Sequence, residues 1–174
     1  TAVGRNALTA NTDGTSNVAI GAYALDANTT ADNNTAVGDS ALKANTTGAN
    51  NTAVGSLSLT ANTTGINNAA LGAQSLDTNT TGSCNTGIGR NALFSNTTAG
   101  NNTALGYDAL FANTTGANNT AVGKDSLTAN TTGTQNIAVG AFAGDAIDTA
   151  NYNTAMGYAA LSSDAGDANV AIGR

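Results

Sequence analysis

Aliphatic and polar positions alternate in short bursts that return every seventeen residues: Asn34-Thr35-Ala36-Val37-Gly38 is followed by Asn51-Thr52-Ala53-Val54-Gly55 and then by Asn68-Ala69-Ala70-Leu71-Gly72. The closing glycine falls at Gly4, Gly21, Gly38, Gly55, Gly72, Gly89, Gly106, Gly123, Gly140 and Gly157, and after a step of sixteen at Gly173. Alternation within each burst predicts a short strand. A period of seventeen matches neither the heptad nor the eleven-residue repeat of supercoiled helices, and Gly, Asn and Thr are poor helix formers. The expectation is all-β: a parallel β-solenoid or β-roll with one coil per repeat. It forms a single repetitive segment over residues 1–174, with ten units, a shortened last unit and an irregular coil at 140–157.

Aligning the units on that glycine sorts positions into columns. The residue before it is always aliphatic, from Val3 and Ile20 through Leu71 and Leu105 to Met156 and Ile172, and is expected to form the core. Four residues after it stands Leu8, Leu25, Leu42, Leu59, Leu76, Leu93, Leu110, Leu127 or Leu161, interrupted only by Gly144, as a second core column facing the first. Stacked at the strand spacing of about 4.8 Å, ten coils give a rod roughly 48 Å long. Two residues before the glycine come Ala19, Ala36, Ala53, Ala70, Gly87, Ala104, Ala121, Ala138 and Ala155, never anything larger. A column so restricted implies a second wall close by, and the expectation is that another copy of the chain supplies it, the alanines being the oligomer-packing column. A similar restriction to Ala or Ser holds three residues after the glycine. The asparagines Asn17, Asn34, Asn51 and their equivalents stack at the turn into each strand, where amides can bond along the rod. Segments such as Asn45-Thr46-Thr47-Gly48 place turn chemistry at the opposite bend; several match the N-glycosylation pattern and are read as turns.

Composition narrows function more than it names it. Net charge is −6, all eleven acidic residues are Asp, and only five residues are basic, so nothing is available to track a nucleic-acid backbone. With no His, no Glu and a single cysteine, Cys84, the commonest acids, bases and metal ligands are missing, and neither an enzyme nor a cofactor site is expected. Gly87-Ile88-Gly89-Arg90-Asn91-Ala92 mimics a dinucleotide fingerprint, but it is the repeated strand with glycine in the alanine column. Asp145, Asp148, Asp164 and Asp167 crowd the irregular end and could hold Ca²⁺ between loops, though the pattern of a calcium repeat is absent. No apolar run reaches the roughly 20 residues that span a bilayer. Both termini fall inside the repeated unit, so the chain is expected to be a window of a longer fibrous protein.

Binding, if present, belongs to the columns that vary. The residue after the glycine ranges over Arg5, Asp39, Ser56, Tyr107 and Lys124, and is expected to be exposed. Phe94 and Phe111, in consecutive coils, should stack as neighbours; with Tyr107 they are candidate surface contacts for a protein or carbohydrate receptor.

The strands Asn17-Val18-Ala19-Ile20-Gly21 and Asn169-Val170-Ala171-Ile172-Gly173, with the many Asn-Thr-Ala-Val-Gly variants between them, resemble the head repeats of trimeric autotransporter adhesins of the YadA type, and are also similar to repeats in phage tail fibres. The resemblance covers the whole chain, and the unit departs from the usual adhesin length of about 14 by an insertion at the NTTG bend. It implies a left-handed roll, a homotrimer around one axis, an extracellular setting on a cell surface or virion, and adhesion rather than catalysis. Phage tail-fibre shaft is the alternative. An ice-binding solenoid is a second alternative, suggested by paired threonines such as Thr63-Thr64; adjacent residues in a strand face opposite ways, which disfavours a flat threonine face there.

Overall fold

The computed structural model describes residues 1–163 and 165–174. Eleven strands form one parallel sheet in chain order: β1 (Ala2–Val3), β2 (Val18–Ile20), β3 (Thr35–Val37), β4 (Thr52–Val54), β5 (Ala69–Leu71), β6 (Thr86–Ile88), β7 (Thr103–Leu105), β8 (Thr120–Val122), β9 (Ile137–Val139), β10 (Thr154–Met156) and β11 (Val170–Ile172). Every pairing is in register with the repeat, Ala36 beside Ala53 and Val37 beside Val54, and the last step of sixteen residues still sets Ala155 beside Ala171. The seventeen-residue β-solenoid read from the sequence is therefore the fold.

Its inside and outside differ from expectation. The alanine column is fully buried within a single chain, as at Ala19, Ala36, Ala53, Ala104, Ala121, Ala138 and Ala155, and forms one cluster with Leu25, Leu42, Leu59 and the later leucines. The close wall that Ala70, Gly87 and their column meet is the coil's own leucine column: a Cβ at Gly87 would lie 3.4 Å from Leu76 Cγ. The aliphatic column before the glycine points outward, with Leu71 49% and Leu105 44% exposed. The physical reason is width. A coil this small has room for one leucine, faced by the small residues two before and three after the glycine; a valine or leucine in the strand centre would collide with it. Packing between copies thus cannot involve the alanines, and the outward-facing column is the one left uncovered.

Two asparagine ladders hold successive coils together. In the first, each backbone N–H donates to the side-chain oxygen one coil earlier, as Asn34 does to Asn17 and Asn51 to Asn34, both at 2.9 Å. The same side chain closes its own coil, Asn51 Nδ2 donating to the Gly65 carbonyl at 2.8 Å. The second ladder runs through the asparagine of the NTTG bend: Asn96 Nδ2 donates to Asn79 Oδ1 at 2.7 Å, Asn113 to Asn96 at 2.9 Å and Asn130 to Asn113 at 2.8 Å. Buried amides are costly without partners and strong with them. Here the fixed spacing of identical coils supplies a partner at every step.

The turns are tight and strained. Leu25, Leu42 and Leu76 have φ of 50° to 52°, the left-handed region in which a branched side chain is unusual. That conformation costs about 1–2 kcal/mol, while burying a leucine returns about 1.5–3 kcal/mol, so each turn holds only because its leucine is covered by neighbouring coils. In the irregular coil Gly144 takes the leucine position at φ 61°, and Ile147, at the NTTG asparagine position, fills the space. A Cβ on Gly144 would stand 3.1 Å from Ile147 Cδ1. The exchange has a cost: Ile147 cannot donate down the second ladder, and Asn130 Oδ1 is buried without a partner among the described residues.

Candidate functional site

Two surfaces follow from this parity. The first is the outward face of the sheet. Because each strand turns its central alanine inward, the residues on either side of it face out together: Thr35 with Val37, Thr52 with Val54, Thr103 with Leu105, Ile137 with Val139, Thr154 with Met156. Neither column contains a charged residue anywhere from β1 to β11. A contiguous uncharged stripe, threonine alternating with aliphatic residues along most of the rod, makes this face a candidate interaction surface.

The second surface is a ridge along the turn that follows the glycine. Phe94 and Phe111 stack with ring centroids 5.2 Å apart and planes 9° from parallel, as consecutive coils require. Tyr107 lies between two cations, the Arg90 guanidinium and the Lys124 ammonium, each 5.9 Å from its ring centre. Lys124 also lies 4.5 Å from the centre of the Phe142 ring, which meets Tyr158 edge-on at 5.8 Å; Arg174 covers Tyr158 at 5.6 Å. Near the other end Arg5 and Lys43 cover Tyr23 at 4.7 and 5.0 Å. All five basic side chains of the protein therefore sit on this ridge against aromatic rings. These contacts stitch coil to coil at about 0.5–1 kcal/mol each, and they occupy ring faces; the exposed Tyr107 and Tyr158 offer rims and hydroxyls outward. Sequence reasoning found the phenylalanine pair and Tyr107 but not the cations, whose partners lie sixteen to twenty residues away.

The aspartates are dispersed. Asp148 accepts the Thr131 hydroxyl, Asp167 accepts the Asn151 N–H at 2.7 Å, and Asp164 lies outside the described residues. Among the described residues no three carboxylate, cysteine or histidine side chains converge. Burial pushes the Asp145 and Asp77 carboxyls above the usual range, at Asp77 against a hydrogen bond from Thr60. Asp32 is held below it by the N–H and hydroxyl of Thr15, at 2.6 and 2.8 Å. Cys84 is free and exposed. Among the described residues no helix is long and apolar enough to cross a membrane. Compared with protein-family models, curated proteins and solved structures, the chain finds no match in any of the three.

Proposed function

We propose that the chain is a non-catalytic segment of an extracellular fibre, the head or shaft of a surface adhesin, that projects and presents a binding surface for attachment to a host or substrate. The observation that carries this reading is the uncharged outward face of the sheet, which runs the length of the rod and finds a partner most simply in the same face of another copy. A closed ring of copies would remove every stripe from water. Three chains around one axis and a left-handed roll are what the resemblance to YadA-type heads implies. The ridge of Tyr107, Tyr158 and the stacked Phe94 and Phe111 would then face outward, toward a protein or carbohydrate receptor. A phage tail-fibre shaft would use the same face. Flanking sequence separates the two, a membrane β-barrel with a coiled-coil stalk pointing to an adhesin and a virion-attachment domain to a tail fibre.

Sedimentation equilibrium tests the assembly. The chain of 16.9 kDa is expected to run at three times that mass, and a Leu71→Lys/Leu105→Lys variant, charged on the exposed stripe and matched in circular dichroism, at the mass of one chain. A native chain that stays single at high concentration would overturn the reading. One observation favours ice binding as a second reading: Thr35 and Val37, Thr52 and Val54 and their equivalents are outward pairs separated by one inward residue, in register. The same face cannot meet both ice and another chain, and absence of thermal hysteresis at high concentration would remove this option.

A further inference from the structure

The Asn-x-Thr pattern occurs in two sets that the fold treats oppositely. Asn28, Asn45, Asn62, Asn79, Asn96, Asn113 and Asn130 of the NTT bends are fully buried, with their amide nitrogens committed to the second ladder. Asn33, Asn50, Asn101 and Asn118 open the pattern Asn-Asn-Thr two residues before a strand, and all four are exposed. Their φ of 59° to 61° turns the side chain away from the rod while the backbone stays pinned, as the Asn101 N–H is by the Ser83 carbonyl at 3.1 Å. None of the four side-chain amides makes a hydrogen bond among the described residues, and neither do the hydroxyls of Thr35, Thr52, Thr103 and Thr120, two positions on, which lie on the outward face of the sheet.

We propose that Asn33, Asn50, Asn101 and Asn118 are acceptor sites for an N-linked sugar on the folded rod, and that the seven NTT asparagines are closed to it. The reaction joins the amide nitrogen to the anomeric carbon of a nucleotide-activated hexose. The carbon–oxygen bond to the nucleotide diphosphate breaks, the diphosphate leaves with the electron pair, and the amide gives up one proton to a base of the transferase. An Asn-x-Thr sequence on an exposed turn, its amide and hydroxyl uncommitted, is what an N-glycosylation acceptor requires. The four threonines lie on the face that the proposed assembly covers, so the acceptors are offered by the folded single chain, and folded protein is tested at a dilution where its solution mass is that of one chain.

The test uses the whole chain and an N-glycosyltransferase with Asn-x-Ser/Thr specificity, acting on folded and on urea-unfolded protein, with sites mapped by peptide mass spectrometry. Folded protein is expected to carry hexose on the peptides of Asn33, Asn50, Asn101 and Asn118 alone, whereas unfolded protein also carries it at the NTT asparagines. In folded Thr103→Ala, Asn101 should lose its sugar and Asn118 keep it. Folded protein left bare at the four sites while unfolded protein is modified there would overturn the proposal. So would modification of Asn79 or Asn96 in the folded rod.

Discussion

At Gly72 the backbone φ is 133°, and a Cβ there would lie 2.6 Å from the Gly89 carbonyl oxygen. Gly72→Ala therefore adds strain of about 1–3 kcal/mol to a collision with backbone that cannot move away, and chemical denaturation should show a large loss of stability. Gly87 has no such demand. Its column carries alanine in the other coils, and a Cβ would meet Ala92 O at 3.2 Å and Leu76 Cγ at 3.4 Å. Gly87→Ala is expected to be neutral or to stabilise by about 0.4–1 kcal/mol, through the unfolded chain. Asp77 supplies a pH-dependent case. Burial raises its carboxyl above the ordinary value of 3.8, so its contribution is fully present below that value and is lost as pH rises through the folded-state value. Asp77→Asn should accordingly stabilise the rod at pH 7, and the gain should vanish near pH 3, as read from denaturation midpoints at the two values.

The coil is the unit in which these residues become interdependent. Gly144 and Ile147 exchange a leucine and an asparagine for a glycine and an isoleucine, so neither change is tolerated alone. Gly144→Leu overpacks against Ile147, and Ile147→Asn leaves a void beside Gly144; each is expected to cost about 1–3 kcal/mol. The double variant rebuilds the common coil and offers Asn130 Oδ1 its missing donor. A double-mutant cycle should show a favourable coupling of about 0.5–3 kcal/mol; additive losses would refute the compensation. Coil length, strand position, in-register stacking and the first asparagine ladder were legible in the sequence because they depend only on the period and on which residue types recur. Which face of the strand lies inside was not, because alternation gives parity without sign. The usable signal was size. The alanine column never exceeds alanine in volume, with Gly87 the one smaller residue, as a narrow interior requires, whereas the outward column passes freely among Val, Ile, Leu and Met. The second ladder was hidden because NTTG reads equally well as a plain turn, and the cation–aromatic ridge because its partners meet only once the coil is closed.

For the whole molecule, the outcome is a rod whose interior is complete within one chain and whose sheet face is not. Leucine, alanine and two asparagine ladders satisfy the inside apart from the break at Asn130 Oδ1; the stripe from Val3 to Ile172 is left in water. Side chains of such a stripe should change their accessibility with assembly, and those of the alanine column should not. The most direct measurement is the thiol-labelling rate of Leu105→Cys in a Cys84→Ser background, followed from high to low protein concentration alongside the solution mass. Labelling is expected to be slow in the assembled state and to rise on dilution to the rate of an exposed thiol as the mass falls to one chain. Fast labelling at every concentration, with a single-chain mass throughout, would contradict the proposed assembly.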